Sequence, residues 1–405
     1  MRSRRILPLL LPALLALVLA PAALAGDDMY IGAAEDSAKS TDLVQATAKI
    51  DLALLAGYDA VRLTAIWAPG ETEPVGEDLA KLENAIGAAQ LRGVRVVLSV
   101  YHRNSRTTPA TPEARAEFSA FAAWLARRFP YVTDFIIGNE PNLNGFWMPQ
   151  FNPDGTSASP AGYFELLAAT YDALKAVSPD LTVIGGSVSP RGANNPRGAR
   201  QTHSPGRFIS ELGRAYRASG RRRPVMDEFS FHPYGENSSV PPELPRHPRS
   251  NTIGLSGYWR LVSALGRAFD GTRQPGADLP IVYDEYGHDT LIPPEKTALY
   301  AGREHATTRP VSEAVQGDYY RRALAMAACQ PTVRGFLLFL VSDEPGLAQW
   351  QSGIFYADDT PKASFPVVRD AVRRARRGTL ARCAPAPAPE ADKTLEGWRV
   401  VGRVR

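Results

Sequence analysis

The sequence predicts an α/β protein, a single-domain (β/α)8 TIM barrel. Three observations lead there. Apolar segments of strand length alternate with amphipathic helical segments eight times between residues 29 and 377. The longer stretches rich in Pro, Gly and Asn all follow strand segments, as the loops on the working face of a barrel do. The first strand ends Gly32-Ala33-Ala34-Glu35-Asp36, without the Gly-rich phosphate turn of a doubly wound open sheet.

The elements follow in order. The apolar run 29–34 is the first strand, and the periodic stretch 42–56 the first helix. Strand 60–67 leads to helix 77–92, and strand 94–102 to helix 111–129. Thr111-Pro112 opens that third helix, because proline fits the first helical turn, where no N–H partner is needed. The fourth strand, 133–140, runs from Phe135-Ile136-Ile137 into Gly138-Asn139-Glu140-Pro141. Helix 161–177 is closed by Ser178-Pro179. Strands 181–188 and 226–234 precede helices 206–219 and 254–269. The seventh strand, 279–285, ends Asp284-Glu285, and helix 311–328, strand 335–341 and helix 364–377 complete the repeat.

Outside the barrel, 26–383, lie two short segments. Residues 1–25 carry Arg2, Arg4 and Arg5, then an apolar run, then Ala23-Leu24-Ala25. This is the order of a secretory signal peptide, and it implies an extracellular protein with no membrane attachment after cleavage. Residues 384–405 begin with a Pro/Ala repeat and read as a tail. The formal charge of +4 includes the three signal arginines, so the remainder is close to neutral and carries no nucleic-acid signature. The arginines at 369, 373, 374, 376 and 377 decorate the outer face of the last helix. Cys329 and Cys383 are the two cysteines, and an oxidising compartment permits a disulfide between them. No Cys/His spacing fits a metal site, and no cofactor is expected.

The chemistry rests on two glutamates. Glu140 and Glu285 each end a buried strand, and strand tips converge around the mouth of a barrel. A pair of carboxyl groups facing one another is what acid–base cleavage of a glycosidic bond requires. Arg62 lies inside an apolar strand, where an unpaired charge is costly, and a guanidinium there keeps a nearby carboxylate ionised. His102 ends the third strand. His232 and Tyr234, two apart, share a face of the sixth. Glu228 has the same parity and is expected to pair with Arg62 or a neighbour. Trp67, Tyr101, Trp147 and Trp350 are candidate platforms for sugar rings.

These motifs, Asn139-Glu140 and Asp284-Glu285-Tyr286-Gly287 with Arg62 and His232-Pro233-Tyr234, resemble the clan A retaining glycosidases, which include family 5 cellulases and mannanases and family 39 xylosidases. The resemblance covers the whole barrel. It implies that Glu140 is the acid/base and Glu285 the nucleophile. It also implies that Asn139 binds the sugar 2-hydroxyl, that Arg62 and Tyr234 attend the nucleophile, and that His102 and His232 line the sugar site. The implied protein is a monomer with a carbohydrate substrate. One departure stands out: the eighth strand reads Phe336-Leu337-Leu338-Phe339-Leu340-Val341 and lacks the Trp that many clan members carry at its end. The competing expectations are an inverting hydrolase, or a carbohydrate-binding barrel without turnover.

Overall fold

The structure is a computed structural model that describes residues 29–244, 250–381 and 383. The segments read as signal peptide and tail lie outside the described residues. Eight parallel strands close into a barrel in sequence order: β1 (Tyr30–Ala34), β2 (Ala60–Trp67), β3 (Arg95–His102), β4 (Asp134–Ile137), β5 (Thr182–Val188), β6 (Glu228–Phe231), β7 (Ile281–Tyr286) and β8 (Val333–Phe339). The intervening helices are α1 (Leu43–Leu55), α2 (Gly76–Arg92), α3 (Pro112–Arg128), α4 (Ser159–Val177), α5 (Pro205–Ala218), α6 (Tyr258–Phe269), α7 (Glu313–Ala327) and α8 (Phe365–Ala375). The fold is thus the (β/α)8 barrel that the alternation predicts.

Two apolar layers hold it. Tyr30, Ala60, Val97, Ile136, Ile184, Val282 and Leu337, drawn from seven of the strands, fill the bore. A larger cluster packs the outer strand faces against the helices. In α8 the buried face is Val368, Ala371, Val372 and Ala375, which turns its arginines outward. Cys329, just after α7, and Cys383 form a disulfide with Cα atoms 5.2 Å apart, closing a 54-residue segment that contains β8 and α8.

Three strands end earlier than their apolar pattern predicts; β8 stops at Phe339, where Leu340 (φ +79°) leaves the extended region. β4 stops at Ile137 because Gly138 (φ +88°) and Glu140 (φ +39°) leave the extended region. β6 stops at Phe231 because Pro233 has no N–H to continue the ladder. Residues 138–140 and 232–234 therefore stand above the strands, as turns over the mouth of the barrel.

Glu228 is not a partner of Arg62. It begins β6 at the opposite end of the barrel, in the electrostatic company of Asp134, Arg95 and Arg334. Burial, reinforced by Asp134, raises its pKa to about 7. A raised carboxylate pKa costs stability once the unfolded chain ionises, so the penalty grows from about pH 4.5 and is complete above pH 7. Glu228→Gln, which imitates the protonated acid, is expected to raise the thermal midpoint at pH 8 and leave it unchanged at pH 4. The gain at pH 8 is at most about 3 kcal/mol. Equal shifts at both pH values in thermal denaturation would refute this reading.

Candidate active site

Glu140 owes its position to a strained turn. Gly138 adopts a left-handed conformation beneath the chain, and a Cβ there would lie 2.9 Å from the ring of Tyr163. Glu140 is itself left-handed, which costs a non-glycine residue on the order of 1 kcal/mol. The turn is pinned by Gly138 N donating to Val100 O (2.9 Å) and Glu140 N to Ser187 O (2.8 Å).

Glu285 reaches the same space from β7. Neighbouring residues on a regular strand point to opposite faces, yet Asp284 and Glu285 both meet Arg62. The β7–β8 register shifts between Tyr283 and Tyr286, and this irregularity accompanies the shared direction. Arg62 Nη1 donates to Glu285 Oε1 at 2.6 Å, and its Nε lies 3.5 Å from Asp284 Oδ2. Nη2 is 3.5 Å from Asn139 Oδ1 and 3.4 Å from Ser99 Oγ. Tyr234 donates its hydroxyl to Glu285 Oε2 at 3.1 Å. Burial, together with Glu285 and Glu140, pushes the Tyr234 pKa far up, so the phenol keeps its proton.

His232 joins the two glutamates. Its Nδ1 is 3.1 Å from Glu140 Oε1 and 3.4 Å from Glu285 Oε2, and its Nε2 is 3.3 Å from Asp284. Burial would lower its pKa, but Glu285 and Asp284 overcome that and hold it well above the ordinary value. These carboxylates thus favour the imidazolium form, which can donate from both nitrogens. Ser187, turned inward where the β5–β6 register shifts between Gly185 and Val188, lies 3.1 Å from Nε2. Asp284 is fully buried and also takes the hydroxyl of Ser230. Burial opposes its charge, yet His232 and Arg62 lower its pKa to about 2.

The structure thus gathers Glu140, Glu285, Arg62, Asn139, His232 and Tyr234 at one end of the barrel. They border or underlie a cleft of about 1090 Å³. Trp350 and Tyr101 line that cleft too. Trp350 stacks on Tyr234 (centroids 5.5 Å, planes 24° apart) and meets Phe339, the last residue of β8, edge-on at 5.2 Å. An aromatic surface thus stands beside the end of β8, which itself carries no Trp. The loop carrying Trp350 is fixed from below. Gln351 N donates to Asp289 (2.7 Å), and the buried Lys362 binds Asp343 (2.8 Å) and the Gln351 carbonyl (2.9 Å).

Three expected sugar contacts lie elsewhere. Trp67 is fully buried, donates its indole N–H to Glu71 O and packs edge-on against Phe118. Trp147 is buried between His102 and Tyr163. His102 is buried as well, tied through Nδ1 to Asn104 O. These side chains do not line the cleft and offer no face to a sugar. Asp284 and Ser187, in contrast, belong to the site and were not foreseen. Among the described residues no group of three or more His, Cys, Asp or Glu side chains could hold a metal ion, and no helix is long and apolar enough to cross a membrane.

Residues 33–237 match the profile of the cellulase family, glycosyl hydrolase family 5. The chain belongs to this family. The match includes Glu140 and Tyr234 but ends before β7, so the position of Glu285 comes from the barrel geometry of this chain. No curated protein sequence matches. Solved structures agree with the fold. A family 39 glycoside hydrolase from Bacteroides cellulosilyticus WH2 superposes with a TM-score of 0.59 at 18% identity, over 86% of this chain and 64% of that one. GH5_18 from Streptomyces cattleya, in complex with Manb1-4GlcNAc, gives 0.58 at 17% identity, over 89% and 83%. A monomeric beta-xylosidase from Caulobacter crescentus CB15 gives 0.52 at 19%, over 84% and 67%. This family 5 barrel therefore spans somewhat under two thirds of the first of these structures.

Proposed function

We propose that the protein is a secreted, monomeric glycosidase that hydrolyses glycans with retention of configuration. Glu140 acts as general acid/base and Glu285 as nucleophile. The observation that carries this reading is the shared contact of His232. Two carboxyl oxygens 3.1 and 3.4 Å from one nitrogen lie within about 6.5 Å of one another, and this shared contact supports the close spacing of a retaining pair. A closer pair leaves no room for a water between carboxylate and sugar, and favours direct attack.

Charge supports the same roles. Arg62 and His232 face Asp284 and Glu285, and His232 also reaches Glu140, so the proposed acid and nucleophile share one hydrogen-bonded cluster. Arg62 and Tyr234 hold Glu285 by hydrogen bonds and orient it. Asn139, tied to Arg62, is in place to meet a sugar hydroxyl. The Trp350–Tyr234 pair offers an aromatic surface beside the nucleophile. Export is supported by the N-terminal pattern and by the disulfide, which persists in oxidising compartments. Monomeric state rests on the likeness to a barrel described as monomeric.

The deciding experiment is proton NMR of the first-formed sugar, using whichever member of an aryl glycoside panel is cleaved. The expected product has the anomeric configuration of the substrate. An inverted first product would overturn the assignment of Glu285 as nucleophile. No turnover on any glycoside would overturn the enzyme reading.

A further inference from the structure

The charged side chains around the cleft divide into two groups. The acids are engaged within the protein. Glu35 accepts the backbone N–H groups of Ser37, Val341 and Ser342 at 2.8–3.1 Å. Asp36 takes Thr64 N (2.9 Å) and pairs with Lys39 (3.2 Å). Asp289 takes Gln351 N, Glu344 takes Trp350 N (3.0 Å), and Glu236 is engaged as well. Arg62 is likewise engaged, by Glu285 and Asp284, but the other two arginines of the cleft behave differently. Arg191 and Arg200 line the same cleft, and their guanidinium groups form no hydrogen bond or ion pair with a described residue.

Both sit on the loop between β5 and α5, and that loop is built rather than loose. Its two legs bond to one another: Asn194 N to Thr202 O (2.8 Å), Ala193 N to Thr202 Oγ1 (2.8 Å) and Ser204 N to Asn194 Oδ1 (2.7 Å). The backbone of Gly192 lies so close to His203 that no Cβ would fit. Asn142 clamps the loop to the turn of Glu140. Its amide donates to the carbonyls of Ser189 (3.2 Å), Arg191 (3.1 Å) and His203 (3.0 Å), and its oxygen accepts Ser189 N (2.9 Å). The Arg191 backbone is thus tied to the acid's own turn, while Trp350 and Tyr234 stand beside Glu285.

We propose that Arg191 and Arg200 form a subsite for an anionic group on the leaving-group portion of the glycan, a uronate carboxylate or a sulfate ester. Placing it on the leaving-group side rests on the reading of Glu140 as the acid. The chemistry is that of the guanidinium: a planar fork that is always charged and matches two oxygens of a carboxylate or sulfate at once. Glycan anions are the partners this wall lacks, since every acid of the cleft already has a protein partner.

Binding tests this independently of turnover. The full chain is titrated calorimetrically with an oligogalacturonate, its carboxyl-reduced counterpart, a sulfated galactan oligosaccharide and its desulfated counterpart. An anionic probe is expected to bind more tightly than its neutral counterpart, and more weakly as salt rises. Arg191→Gln with Arg200→Gln is expected to weaken that probe about tenfold per guanidinium lost. The carboxylate and sulfate arms identify which anion is read. Equal binding of charged and neutral counterparts to the wild type, which needs no variant, would overturn the proposal. So would unchanged binding of the anionic probe by the double variant. A chain that binds the anion yet cleaves no aryl glycoside would sink the glycosidase reading and leave the subsite standing.

Discussion

Glu285→Ala is expected to abolish turnover on every glycoside, whereas Glu140→Ala should lose it selectively. The difference lies in what each carboxyl group does. Glu285 is held by Arg62 at 2.6 Å and by Tyr234 at 3.1 Å, an arrangement that orients its carboxyl group for the proposed attack on carbon. Without it no bond to the sugar forms, whatever the leaving group. In the proposed role Glu140 supplies a proton, and a proton matters in proportion to how poorly the leaving group departs. A natural glycan should therefore suffer by roughly 10²–10⁴-fold in Glu140→Ala. An activated aryl glycoside should still form the glycosyl-enzyme, and azide should then accelerate its second step. Near-wild-type rates for both variants would assign the chemistry elsewhere and favour a binding barrel.

The second large effect is expected at Asp284. It is fully buried and faces two cations, so Asp284→Asn keeps its shape while removing one of the charges that Arg62 and His232 face. Breaking a buried charge cluster from one side costs about 3–5 kcal/mol. The pH dependence has a definite sign. Asp284 is depressed from 3.8 to about 2, so its contribution is present above pH 3.8 and lost as pH falls through 2. His232 is raised, so its contribution is complete below pH 6.5 and lost as pH rises through its higher folded value. Thermal midpoints of wild type and variant should therefore differ most between about pH 4 and 6.5, and the difference should shrink as pH falls through 2 and as it rises from 6.5 towards the higher folded value of His232. Activity should change too, since a His232 relieved of Asp284 loses its proton at lower pH, and the alkaline limb of the rate profile should move down. A midpoint difference that is flat with pH would mean that Asp284 merely fills space.

Why Asp284 escaped the sequence reading is instructive. Side chains alternate along a strand, so a catalytic Glu285 implies that its neighbour faces the helices. Only the register shift in β7 breaks that rule, and such shifts have no compositional mark. The same limit applies to Glu228. Its parity with His232 is right, but parity does not give height along the bore, and it lies at the far end. Trp67 and Trp147 occupy strand-tip and loop positions that suit a platform, yet burial against Phe118 and Tyr163 turns them away. What was legible followed from repetition and cost: eight apolar runs, turn residues between them, and an arginine too expensive to leave unpaired. Glu140, Glu285 and Arg62 were readable for that reason. The length of β4 was not, because a left-handed Glu140 gives no local signal, whereas Pro233 marks the end of β6 in the sequence itself.

The disulfide has an architectural consequence. Cys329 follows the end of α7 and precedes β8, so it sits where strands begin, as Met29 does before β1. Cys383 is bonded to it. The described chain therefore enters and leaves by one door, at the back of the barrel, while the cleft opens at the front. A tether fastened to either end would pull from behind. The catalytic mouth would then be presented outward, unobstructed, towards whatever glycan surface the protein meets.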